Sequence, residues 1–122
     1  MGTGTSERLA EVYAAFNRRD IAALMAAMTA DVLWPNGWEG GTIRGRDAVT
    51  DYWRRQWGEI DPTVVPTAYE AEADGRTAVT VHQVVRDRSG GVISDHTVMH
   101  LYRFEGDLVA EMEIRDVLGA SE

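Results

Sequence analysis

The sequence contains no cysteine. That absence removes disulfide bridges, a thiolate nucleophile and any metal site built on thiolates, and it fits a reducing compartment, so the cytoplasm is the expected location. Positive charge is scarce: 12 Lys and Arg stand against 20 Asp and Glu, a formal net charge of -8. No basic run exceeds the pairs Arg18-Arg19 and Arg54-Arg55, so the phosphate-neutralising stripe of a nucleic-acid binder is missing, and nucleic acid and anionic membrane are not expected as partners. No apolar run is long enough to cross a bilayer. Residues 1–6 are small and polar, without the basic and apolar segments of an export signal, so neither export nor insertion is expected. No internal repeat, low-complexity tract or linker interrupts the chain.

What remains is an ordinary globular balance. The 122 residues are 44% hydrophobic and 26% charged, enough for one core and too short for two, so a single domain over residues 1–122 is expected.

The first half has helical periodicity. Ser6 is the expected cap of a helix with Glu7 in its first turn, and Leu9, Val12, Tyr13 and Phe16 recur along one face. Asp20 is the expected cap of a second helix carrying Ile21, Leu24, Met25 and Met28. A short apolar piece, Val32-Leu33-Trp34, precedes a loop signalled by Pro35-Asn36-Gly37 and Gly40-Gly41. After Gly45 a third helix places Val49, Tyr52, Trp53 and Trp57 on one face.

The second half reads as strands. Pro62 and Pro66 mark the changeover, and Asp74-Gly75 signals a two-residue hairpin between strands over residues 67–73 and 76–86. Ser89-Gly90-Gly91 turns the chain into residues 92–104, and Gly106-Asp107 returns it as residues 108–117. Helices followed by an antiparallel meander define an α+β domain with helices packed on one side of a curled sheet.

The order of these elements, with Asn17-Arg18-Arg19-Asp20 between the first two helices, Ala30-Asp31 before the short strand and Gly45-Arg46-Asp47-Ala48-Val49 opening the third helix, resembles SnoaL-like members of the nuclear-transport-factor-2-like superfamily. The resemblance covers nearly the whole chain. It implies an α+β cone in which N-terminal helices and a curved antiparallel sheet enclose a small-molecule pocket, and it implies a homodimer. The superfamily includes polyketide cyclases, steroid isomerases and limonene-epoxide hydrolases. The steroid isomerases place a Tyr on the first helix, an Asp after the first short strand and an Asp on the penultimate strand; the matching positions here are Val12, Asn36 and His100, so that set is not reproduced. Against the epoxide hydrolases, the chain offers Trp34-Pro35-Asn36, Thr80-Val81-His82 and Glu113, and lacks the Arg and Asp between.

Hairpin register singles out His100 and Glu113 as the catalytic pair. If Gly106-Asp107 is a two-residue loop, Tyr102 faces Glu111, His100 faces Glu113 and Val98 faces Arg115. One face then collects His96, His100, Tyr102, Glu111, Glu113 and Arg115, while Met99, Leu101, Met112 and Ile114 form an apolar face suited to the core or to a dimer. An acid beside an imidazole favours its charged form, which general acid-base chemistry near neutral pH uses, and the SnoaL-like cyclases are similar in using a His and an acid on these strands. The same residues would make an ordinary solvated charge pattern if the face met water. A three-residue loop would instead put Asp116 on the His100 face as the acid. Trp34, Asn36, Tyr52, Tyr102 and Arg115 are the expected substrate contacts. His82, mid-strand, is a further candidate that reads more simply as a core group. Trp53 and Trp57 are expected in the core. No metal-ligand spacing exists, and neither metal nor organic cofactor is expected.

Three readings follow. The first is a cofactor-independent isomerase or cyclase acting on a hydrophobic, carbonyl-containing or cyclic molecule, with epoxide hydrolysis as a variant. The second is a ligand-binding module without catalysis, and the third a dimerising module with a filled pocket.

Overall fold

In the computed structural model, residues 4–36 and 40–116 are described. Helix α1 (Thr5–Asn17) starts one residue before the expected cap: Gly4 is the N-cap, and its N–H donates to Glu7 Oε1 at 2.9 Å. Asp20 does cap α2 (Ile21–Ala26), its Oδ1 accepting the Ala23 N–H at 3.1 Å. Helix α2 stops short of Met28, which opens β1 (Met28–Pro35); a short β2 (Thr42–Arg44) then folds back on β1. Helix α3 (Arg46–Glu59) follows Gly45, whose φ of 95° favours glycine and whose N–H donates to Val32 O at 2.8 Å.

Four long strands complete the chain: β3 (Ile60–Ala71), β4 (Thr77–Asp87), β5 (Val92–Glu105) and β6 (Leu108–Asp116). The sheet order is β2-β1-β6-β5-β4-β3, curved and unclosed. It is mixed, because β1 and β6 run parallel while every other pair is antiparallel. Strand β3 contains both prolines that were expected to precede it. Its place at the sheet edge explains this, since a residue without an N–H is tolerated where no further strand pairs. The Asp74-Gly75 hairpin is one residue longer than expected: Glu72 N–H donates to Arg76 O, leaving residues 73–75 as a three-residue loop.

The Asn17-Arg18-Arg19-Asp20 segment fastens the helices to that edge. Asn17 Nδ2 donates to Val64 O at 2.7 Å while Asn17 Oδ1 accepts from Val64 N at 3.0 Å. Arg19 adopts a left-handed φ of 61°, a strained angle for a residue with a Cβ. It is held there by donating to Phe16 O, Pro62 O and Asp61 while its guanidinium lies 5.0 Å from the Trp57 ring. The core between helices and sheet includes Leu9, Leu24, Val32, Val49, Trp53, Val79, Val81 and Val109, each at most 1% exposed.

The last hairpin carries the main departure. The turn at Gly106-Asp107 has the expected two-residue length, with Glu105 opposite Leu108 and Gly106 at φ 61°. One step later Phe104 pairs with Val109 but Arg103 pairs with Glu111, so Ala110 is an extra residue on β6. A bulge of one residue inverts the facing of everything beyond it. His100 therefore opposes Ile114, Leu101 opposes Glu113, Met99 opposes Arg115 and Val98 opposes Asp116.

Candidate functional site

Helices and the inner sheet face enclose a cavity of about 370 Å³, toward the small end of the 300–1,000 Å³ or so typical of ligand pockets. Its helical wall is Val12, Tyr13 and Phe16 of α1, Leu24 of α2 and Tyr52, Trp53 and Gln56 of α3; Trp34 and Pro35 come from β1. The sheet contributes Val64, Gln83, Val85, His100, Tyr102, Met112 and Ile114 among others. No Asp, Glu, Lys or Arg is among the described residues that line it. Trp34 meets Trp53 edge to face at 5.1 Å between ring centres, and Phe16 meets Trp53 likewise at 5.8 Å. Such contacts fix the wall as a rigid aromatic surface.

The polar groups at the inner end form a chain. Tyr102 donates its hydroxyl to the Tyr13 oxygen at 2.9 Å, and that oxygen lies 2.8 Å from His100 Nδ1. With Tyr13 accepting from Tyr102, donation of its own hydrogen to Nδ1 gives every hydroxyl hydrogen of the chain an acceptor; on this assignment from the network, the imidazole carries its hydrogen on Nε2. All three residues are buried, at 3% (Tyr13), 6% (His100) and 1% (Tyr102) exposure. Burial drives the His100 pKa from its ordinary value down to about 4, so the ring is neutral at pH 7. Burial likewise pushes both tyrosines up, Tyr13 further through the adjacent Tyr102. The chain is thus a relay of neutral donors ending at an uncharged imidazole. Among the described residues no hydrogen bond occupies Nε2.

Several expected residues come together here and others do not. His100, Tyr102, Trp34 and Tyr52 line the cavity. The expected His100–Glu113 pair is not formed: the Ala110 bulge turns Glu113 to the outer face, where its side chain is 53% exposed and accepts from Arg76 at 3.0 Å. Arg115 is carried to the same outer face, 4.0 Å from Glu72. His82 also points outward, with its Nε2 2.6 Å from Asp95 Oδ1, because the β4 alternation sends Gln83 rather than His82 into the cavity. Asn36 follows β1, its backbone bonded to Gly41 and Gly40, and is not among the described lining residues. Asp116 pairs with Val98 in the ladder, and its side chain lies outside the described residues. The apolar face expected to drive dimerisation is divided, with Met112 and Ile114 in the cavity and Met99 and Leu101 on the opposite side.

Tyr13 is the residue that sequence reasoning placed in the core and not in the site. The resemblance to the steroid isomerases points to Val12 on the first helix, whereas the first-helix residue that meets His100 is Tyr13, one position on. Tyr13 sits in the same heptad-like stripe as Leu9 and Phe16, so periodicity marks it as buried without saying that it meets a histidine. Among the described residues, no group of three or more His, Asp or Glu is placed to hold a metal ion, and no helix is long and apolar enough to cross a membrane.

Comparison with known proteins agrees with this architecture. The SnoaL-like domain family matches residues 9–112. No curated protein matches the chain. Among solved structures, the chain is similar to an NTF2-like protein of unknown function from Burkholderia pseudomallei K96243, with 25% identity over 97% of this chain and 94% of that one and a TM-score of 0.80. It is similar in fold to TerC co-crystallised with polyporic acid, with 22% identity over 96% and 94% of the two chains and a TM-score of 0.79. The epoxide hydrolase/cyclase-like enzyme SalBIII, which has a role in pyran ring formation in the polyether salinomycin, shares 16% identity over 95% and 92% of the chains, with a TM-score of 0.77. With a family match that spans most of its length and the helix-over-sheet cavity described above, the chain belongs to the SnoaL-like domain family.

Proposed function

We propose that the cavity binds an uncharged, hydrophobic, carbonyl-bearing cyclic molecule and promotes isomerisation or cyclisation on it without metal or organic cofactor. The observation that carries this reading is the neutral His100 lining an apolar cavity, with Nδ1 engaged by Tyr13 and no described hydrogen bond on Nε2. A carbonyl oxygen accepting from Nε2–H in such surroundings is polarised more strongly than in water, and negative charge developing on it is stabilised further as the α-hydrogen passes to solvent water, no described lining residue being a carboxylate. His100 then acts as a fixed donor, oriented by Tyr13 and Tyr102, in place of an imidazolium paired with a carboxylate. The pyran ring chemistry of SalBIII lends direction to this choice of ligand, as a fold-level analogy.

A second reading, ligand binding without turnover, is favoured by the lack of a carboxylate base among the described lining residues. One assay separates the two. Exchange of the α-hydrogens of 2-tetralone for deuterium is followed by NMR, with tryptophan fluorescence reporting binding. Exchange accelerated over buffer and reduced at least about tenfold by His100→Phe supports proton transfer, about the loss of one positioned polar group. Binding without acceleration leaves only the ligand-binding module.

A further inference from the structure

The inner face of β4 is built from Val79, Val81 and Val85, and Gln83 is its polar interruption. Gln83 is half-buried, so a ligand that covers it would strip its amide of water and must offer its N–H and C=O groups partners in return. Among the described residues no side-chain hydrogen bond reaches the Gln83 amide, and the residue lines the cavity together with Val85 and Val64. Its ladder neighbour on β5 is His96, which is exposed and belongs to the rim. Gln56 also lines the cavity, and its Nε2 donates to the Tyr52 hydroxyl at 3.3 Å.

Gln83 lies four residues along β4 from Val79, which pairs with His100. At about 3.3 Å per residue, the His100 and Gln83 levels are roughly 13 Å apart along the sheet. Val81 and Val98 fill the inner face between them. The cavity therefore has an imidazole pole at His100 and an amide pole at Gln83, with Val64, Val85, Met112 and Ile114 among the apolar residues of its sheet wall.

Resting on the reading above, we infer that the natural ligand is an elongated neutral molecule with two oxygen functions: a carbonyl at His100 and a hydroxyl or second carbonyl held by Gln83 near the mouth. Gln83 is the specificity-determining residue for the outer oxygen. Anionic ligands are disfavoured twice, because no described lining residue is a cation and because the chain carries a net charge of -8.

The test measures affinities of 2-tetralone, 6-hydroxy-2-tetralone and 6-carboxy-2-tetralone by calorimetry for the wild type and Gln83→Leu. In the wild type the hydroxyl should improve binding about fivefold, the worth of one neutral hydrogen bond, and the carboxylate should bind weakest. Gln83→Leu should erase the hydroxyl's advantage, leave 2-tetralone binding within about twofold and keep or raise the melting temperature. Equal binding of 2-tetralone and its hydroxyl derivative by the wild type, or a preference that survives in Gln83→Leu, overturns the two-pole assignment while leaving the carbonyl site intact. Failure of every tetralone to bind overturns both that site and this inference.

Discussion

The hydroxyl of Tyr13 on the first helix lies 2.8 Å from Nδ1 of His100 on the fifth strand, a contact between residues 87 positions apart. It links helix to sheet at the buried end of the cavity, and it selects which imidazole nitrogen is left for a ligand. Tyr13→Phe removes it while keeping the ring, leaving His100 Nδ1 unsatisfied and Tyr102 without its acceptor. Unfolding in urea should show a loss of about 1–3 kcal/mol. The ¹⁵N spectrum of His100 should shift from a single Nε2–H tautomer toward a mixture. An unchanged tautomer would mean that Tyr13 does not orient the ring.

His100 also sets a pH dependence. Its folded pKa, about 4, lies below the ordinary 6.5, so between those values the unfolded chain binds the proton that the folded chain refuses. The contribution is complete above about pH 6.5 and shrinks as pH falls toward 4, by up to about 3 kcal/mol. Denaturation midpoints measured from pH 7 to pH 4 should decline accordingly, and His100→Asn, whose oxygen can still accept from Tyr13, should flatten that part of the curve. Glu113→Gln should leave the His100 titration unmoved and stability within about 0.5 kcal/mol, because Glu113 pairs with Arg76 on an exposed face. A large His100 shift in Glu113→Gln would contradict the bulged register.

Asn17 holds the free edge of β3 through both ends of its side-chain amide, Nδ2 donating to Val64 O and Oδ1 accepting from Val64 N. Asn17→Ala should cost about 1–3 kcal/mol, and hydrogen exchange at the Val64 amide should quicken at least about tenfold ahead of the central strands. Exchange unchanged at Val64 would show that the edge is held by other contacts.

The sequence by itself determined whatever depends on near neighbours. Asp20 caps α2 because its carboxylate reaches an N–H three residues on, and Gly106-Asp107 makes a two-residue turn because glycine accepts a positive φ. His100 and Tyr102 share a face because strand side chains alternate with period two. The family resemblance, too, was legible in element order. Tertiary structure decided the rest. The Ala110 bulge arises where β6 is paired on both sides, antiparallel with β5 and parallel with β1, and that single extra residue exchanged Glu113 for Ile114 opposite His100. The prolines of β3 are admitted because that strand is an edge, which no local signal announces. Tyr13 became part of the site only when α1 was laid across the sheet. Periodicity records that a side chain is buried, whereas its partner is fixed by the packing of elements far apart in the chain.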